Sequence, residues 1–434
     1  MFKFLFLLFC FFGFGLAKAQ SPYVPLDTSN TLARSEAAKV YIWANGTYLR
    51  SLLSKDKSEE ARTVVETLNS NAAFYLDAIN EGHFYYDQRI SNKISKILEA
   101  LRQNNPSIPA NLQILLSKSP EVNAFCSHNG SIVLNIGLFE TIENEDQLAS
   151  IICHELGHYL LDHIFKIQLT VLKKELSEDY KKKIKQIKKQ KYNRSLNAFN
   201  LYREELYLKG EQSKIHEYEA DSIGYVLFKN SKYNKFDFLK MLHYLDHVVR
   251  KTEKQIPLDF YPKIFNLPKL AFKNAWMKLE EFNDYDYSFI TQKMSEDSIE
   301  SHPKVTFRIE KLKKIFPELN SIDSKVAATD SLLLDFKSIA EHEQILNLYE
   351  DKEYGQAAYQ CLWYIHQGKD TAFYKNWLGK CLVLMARAKD NYILNQNLEH
   401  ISPKEHSASY KQFLSFMWNL DLAEMKTIGE FYWN

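Results

Sequence analysis

Within the stretch SIICHELGHYLLDH, residues 150–163, two histidines stand four apart and a glutamate follows the first of them. On a helix, residues four apart share one face. His154 and His158 can then offer two imidazole nitrogens to one metal ion, with Glu155 projecting beside it. Metal-assisted hydrolysis needs that combination: ligands for a Lewis acid, and a carboxylate able to take a proton from water. Gly157, between the histidines, leaves room for another backbone or a ligand.

A catalytic zinc takes three protein ligands and keeps one position open. The third cannot follow an H-E-x-x-H-x-x-G-x-x-H scheme, because Leu161 and Ile164 occupy the Gly and last His places. His163 lies about 140° round a continuous helix from His158, which makes it a packing or hydrogen-bonding residue. Downstream, EYEAD places Glu217 and Asp221 four apart on one helical face. Glu217 is the candidate third ligand, and Asp221 can accept the N–H of a ligand histidine and so fix its tautomer. Glu219 points roughly the opposite way and is the weaker candidate. His216 lies off the Glu217–Asp221 face.

These residues need elements to hold them. Asn144 as N-cap and Gln147 three residues later open a helix that runs through 150–163, buried on most sides by Ile151, Ile152, Leu156, Tyr159 and Leu160. Before it, NLQILLS (111–117), VNAFCS (122–127) and SIVLNIG (131–137) read as strands, and Asn129-Gly130 between the last two is a hairpin signal. Residues 30–104 show helical spacing of apolar residues. Residues 166–215 read as charged helices, with lysines and acidic residues interleaved on a solvated face. Residues 216–230 read as a further helix, 281–300 as an acidic, aromatic loop, and 330–434 as helices again.

The bulk properties agree with a globular chain. The 434 residues carry 55 Lys and Arg against 54 Asp and Glu, a formal charge of +1. No global field therefore favours nucleic acid. The first residues differ: one lysine, an apolar run from Phe4 to Leu16, and Ala17-Lys18-Ala19 before Gln20. That is the layout of a cleaved export leader, too short for a span of about 20 residues. The expected mature chain is exported, periplasmic or secreted, with no integral membrane segment. Its four cysteines do not make a disulfide scaffold. Cys361 and Cys381 could meet across a helical hairpin, or stay as buried thiols.

Three motifs occur in order: VNAFCSHNGSIVLNIGLFETIENEDQLASIICHELGHYLLDH, then EYEADSIGYVLF, then SHPKVTFRIEKL. Together they resemble the HtpX and CAAX-prenyl-protease family of gluzincin metallopeptidases over roughly 85–317. The resemblance implies one Zn²⁺ per chain on His154, His158 and Glu217, a general base at Glu155 and a supporting carboxylate at Asp221. It is similar to the exported, soluble branch, in which a tetratricopeptide-like tail follows the protease. In that branch the His of the HP motif, here His302, can approach the metal and hold the enzyme inactive. His302 and Arg308 are also the candidate oxyanion donors, with a regulatory role open to either. Cys126, His128 and Asn129 depart from the more usual apolar, Pro and Gly positions after NAF.

The expected fold is mainly α with a small β-sheet: a zincin-like metallopeptidase domain and then helices. The expected organisation is a leader at 1–19, an N-terminal helical segment at 20–84, the peptidase domain at 85–320 and a helical region at 330–434. In the last, Ala357, Ala358 and a WLG about 20 residues on fit either a tetratricopeptide pair or a plain helical cap. The expected function is zinc-dependent endoproteolysis of unfolded or exposed polypeptide, with a protein partner on the C-terminal helices. The rival is a latent or structural zinc domain serving a partner-binding, chaperone-like helical tail.

Overall fold

The computed structural model describes residues 23–192, 194–251, 254–279, 303–320, 328–402 and 406–433. The leader, residues 281–300 and His302 lie outside them. The chain opens with a helical hairpin, α1 (Thr31–Lys55) and α2 (Glu59–Glu81). Ser58 caps α2 by accepting from the Ala61 N–H, and Gly82 ends it in the left-handed region at φ 84°. Then follow β1 (Phe84–Tyr85), α3 (Gln88–Arg102), β2 (Ile114–Ser117), β3 (Ala124–Cys126) and β4 (Ile132–Asn135).

The sheet order is β1-β2-β4-β3. β3 and β4 form the antiparallel hairpin expected from Asn129-Gly130, with Phe125 opposite Val133. β2 runs parallel to β4, Leu115 opposite Val133. β1 pairs antiparallel with β2; two residues long, it leaves no alternation to read in sequence. Among the described residues β3 is an edge strand, with no strand partner on one of its sides.

The helices follow: α4 (Glu145–Leu160), α5 (His163–Leu176), α6 (Glu178–Lys189), α7 (Arg194–Lys229), α8 (Lys235–Lys251), α9 (Phe260–Phe265), α10 (Val305–Ile315) and α11 (Ser331–Glu350). Last come α12 (Tyr354–His366), α13 (Thr371–Asp390), α14 (Ala408–Asn419) and α15 (Leu422–Tyr432). A small sheet in a mainly helical chain is the fold class the sequence implied. α6, with its lysines, buries no residue.

Two details differ from the sequence reading. Residues 150–163 are not one helix. α4 stops at Leu160, Asp162 turns left-handed at φ 54°, and α5 starts afresh at His163. Residues 216–230 are not a separate helix either, but the last turns of the 36-residue α7.

Two large apolar cores result. The first gathers Leu134, Phe139, Leu148, Ile152, Leu156, Tyr225, Phe228 and Phe238 around α4. The second gathers Leu362, Tyr374, Leu382, Phe413, Phe416 and Ile428. Tyr261, Phe265 and Trp276 from the segment before residue 280 also join the second core. The chain therefore enters the C-terminal core before the boundary drawn at 320–330. Cys126, Cys153, Cys361 and Cys381 are all buried free thiols. No helix among the described residues is long and apolar enough to cross a membrane.

Candidate metal centre

α4 carries the first half of the site. Its N-cap is Asn144, whose side chain accepts from the Gln147 N–H at 2.9 Å. The Gln147 side chain returns to the Glu143 N–H at 2.8 Å, one residue before the cap. The reciprocal pair fixes where the helix starts, and hence which face His154 and His158 occupy.

α7 carries the second half and crosses α4 at close range. A Cβ on Gly157 would lie 2.6 Å from the Ala220 carbonyl oxygen, and one on Gly224 would lie 2.9 Å from His154 Cα. Side chains at either position would hold the helices apart. Their absence lets the α4 histidines meet the α7 carboxylates. The room expected around Gly157 is filled by backbone.

Three groups converge there. His154 Nε2 and His158 Nε2 are 3.3 Å apart. Glu217 Oε2 is 3.5 Å from His154 Nε2, and Glu217 Oε1 is 3.3 Å from His158 Nε2. For tetrahedral zinc with bonds of about 2.0–2.1 Å, ligand atoms are separated by roughly 3.3 Å. Two nitrogens and a carboxylate at this spacing fit the ion in both donor chemistry and size.

Behind the convergence lie Asp221 and Arg308. Asp221 Oδ1 is 3.0 Å from His154 Nδ1. Arg308, on α10, donates to both Asp221 oxygens at 2.8 and 2.7 Å, and its Nη2 is 3.1 Å from Glu217 Oε2. All of these groups are buried. Burial opposes charge on Asp221, but Arg308 outweighs it and holds the carboxyl below its ordinary range. Arg308, read from sequence as an oxyanion or regulatory candidate, thus commits Nε and Nη2 to carboxylates. On His154, burial is outweighed by Asp221 and Glu217, which push its pKa up to about 10.

Glu155 is buried beside the histidines, and burial raises its carboxyl against the opposing pull of His154 and His158. It takes a hydrogen bond from the Cys126 backbone, which places it against the edge strand. The loop after that strand is held by α1: His128 Nε2 is 2.7 Å from Asn45 Oδ1. Here the departures after NAF have a structural use, as His128 anchors the N-terminal hairpin to the site.

His163 is a hydrogen-bonding residue, as its sequence placement implied, and Glu219 stays off the convergence, but His163 reaches its partners by another route. The break at Leu161-Asp162 swings His163 back, so its Nδ1 is 3.0 Å from His158 Nδ1. Its Nε2 is 3.1 Å from Glu219 Oε2, and the His216 ring stacks flat on it at 4.1 Å. Burial, with His158 and His216 beside it, pushes the His163 pKa down to about 2. The 140° rotation assumed a helix that continues; an Asp next to the last periodic residue was the available sign that it does not. His302 lies outside the described residues.

The model of peptidase family M48 matches residues 87–316, which is 230 of 434. The chain belongs to peptidase family M48. That is the zinc-metallopeptidase family to which the three motifs pointed. Similar M48 proteins include the beta-barrel assembly-enhancing protease of Yersinia pestis, 30% identical over 79 residues, or 18% of this chain and 16% of that protein. The protein of that name from Escherichia coli (strain K12) is 31% identical over 78 residues, with shares of 18% and 16%. Metalloprotease LoiP of Escherichia coli (strain K12) is 30% identical over 105 residues, 24% of this chain and 39% of that protein. The chain thus spans less than half the length of each of these relatives.

Proposed function

We propose that this M48 protein is a zinc-dependent endopeptidase acting on unfolded or exposed polypeptide segments, in envelope protein quality control. The observation that carries this is the 3.3–3.5 Å convergence of His154, His158 and Glu217 with Glu155 on the same turn. The relatives' names, an assembly-enhancing protease and a metalloprotease, support the same class. The leader at 1–19 supports export, and the C-terminal helices offer a surface for a protein partner.

His154, His158 and Glu217 would hold the zinc. Once bound, zinc would supply Lewis acidity, easing deprotonation of a water and polarising the scissile carbonyl. Glu155 takes a proton from the attacking water and delivers it to the leaving amine. Its burial, which raises its proton affinity, suits both halves of that task. Asp221 holds His154 with Nδ1 protonated and Nε2 free. Arg308 supplies the fixed positive charge that lets Asp221 stay ionised while buried, and it pairs with Glu217 as well. A substrate strand can add to the free side of β3 through its backbone, placing its carbonyl near Glu155. Such pairing reads little sequence, which favours segments already unfolded.

One preparation tests this. Protein from the exported fraction should begin near Gln20, carry about one zinc and digest casein. Glu155→Gln should keep the zinc and lose most of the digestion, and Glu217→Ala should lose the zinc. Equal digestion by wild type and Glu155→Gln would sink the enzyme reading and leave a structural zinc domain with a partner-binding tail.

A further inference from the structure

The proposed zinc site has two histidine ligands, and Asp221 is the supporting carboxylate of one, His154. The other has support of a different kind. His158 points Nε2 at the convergence, so as a neutral ligand it carries its proton on Nδ1. That proton faces His163 Nδ1 at 3.0 Å. His163 must therefore accept at Nδ1, which leaves its own proton on Nε2. Nε2 is 3.1 Å from Glu219 Oε2, an acceptor. One tautomer assignment satisfies the whole row: Glu219 accepts from His163, and His163 accepts from His158.

The reverse assignment is self-defeating. A proton on His163 Nδ1 would force the lone pair of His158 onto Nδ1 and its proton onto Nε2, aimed at the ligand position. We infer that His163 and Glu219 are positioning residues that keep His158 in its metal-binding tautomer and orientation. The stacked His216 ring, at 4.1 Å and 4° between planes, fixes the plane of His163. The inference rests on the zinc reading above and extends it to a relay two groups deep.

The same cluster could be taken for a second metal site, since His163, His216 and Glu219 also offer donors close to one another. Two features oppose that. A metal on His163 Nε2 would need the proton that Glu219 now accepts to sit on Nδ1, against His158. Parallel stacked rings also aim their nitrogens side by side, not at one point.

The two supports differ in depth. The Asp221 side chain is 1% exposed and is gripped by Arg308, whereas that of Glu219 is 49% exposed. The His158 arm is thus the one open to solvent. Losing an outer partner of a ligand histidine costs about 10- to 100-fold in metal affinity.

The test compares wild type, Glu219→Ala, Glu219→Gln and His163→Ala for zinc content, zinc affinity against a chromogenic chelator, and melting temperature without metal. Wild type should hold one zinc. Glu219→Ala should weaken binding about 10- to 100-fold with its metal-free melting temperature unchanged. Glu219→Gln keeps an acceptor oxygen and should recover much of the loss. His163→Ala should weaken binding at least as much, and the exposed Glu219 variants keep the test valid if that buried substitution unfolds the protein. Wild-type affinity in Glu219→Ala overturns the inference, and so does a drop in metal-free melting temperature that Glu219→Gln does not restore. A second zinc in wild type, lost with Glu219, also overturns it. A wild type that binds no zinc would instead defeat the underlying metal reading, and the inference with it.

Discussion

Arg308 lies among three carboxylates, Glu155, Glu217 and Asp221, all buried with it. Stripping one partner from such a group typically costs about 3–5 kcal/mol, so Arg308 works first as an anchor for the α7 carboxylates. The histidine–glutamate spacing was legible because i, i+4 periodicity is a local rule. The partner of Arg308 was not, because nothing in the sequence ties residue 308 to residue 221. His302 follows a different logic. Six residues before that anchor, it has two incompatible candidate roles: the family resemblance implies a metal-blocking one, and the hydrolytic mechanism makes it a candidate oxyanion donor. If its imidazole takes the open metal position, His302→Ala should raise casein digestion by the purified protein. If it donates to the oxyanion, the same change should lower the rate by about 10²-fold or more. A rate measurement on this one variant decides the sign, and an unchanged rate removes His302 from both roles.

At the scale of elements, the site is an α4–α7 crossing closed by missing side chains. The sequence shows two short motifs, HELGH and EYEAD, about 60 residues apart. Their approach depends on Gly157 facing Ala220, and Gly224 facing Cys153 and His154. No periodicity shows that pairing, and the apolar pattern runs on through the helix break that re-aims His163, whose one local sign is Asp162 itself. Adding volume at a crossing is a test of how tightly it is set. A Gly157→Val side chain would run into backbone, which cannot rotate away, so overpacking of about 1–3 kcal/mol or more is expected. Zinc affinity should collapse together with the melting temperature. The control is Gly46→Ala on α1, where the added Cβ meets only the flexible Arg50 side chain. That change should leave zinc binding intact, and helix propensity favours Ala over Gly by about 1 kcal/mol. Normal zinc affinity in Gly157→Val would mean that the helices need not approach this closely to form the site.

For the whole molecule, the peptidase and C-terminal parts share a helix. α11 buries Leu333 and Phe336 in the first core and Ile345 and Leu348 in the second. Its Glu343 accepts from the Tyr85 hydroxyl at 2.7 Å and from the Leu26 N–H at 2.7 Å, tying in the N-terminal segment as well. Helical periodicity predicted α11 but could not say that its two ends belong to different cores. Another ionisable group at the seam is Glu140. Glu140 receives a hydrogen bond from Gln344 at 2.7 Å and another from Tyr364, and lies 3.3 Å from Lys254. Burial alone would raise its pKa, but Lys254 and these donors outweigh that and hold it below the ordinary value of 4.5. A carboxyl with a lowered folded pKa contributes stability above its unfolded pKa, and loses it as pH falls through the folded one. The seam should therefore be at full strength near neutral pH and weaken below about 4.5. Glu140→Gln should melt lower than wild type at pH 7 and decline less steeply between pH 5 and 3, so that the two curves converge in acid. Melting temperatures of both proteins across that range check it. Curves that stay parallel would show that the acid sensitivity of the molecule resides in other carboxylates, and that α11 holds the two cores together without help from this charge.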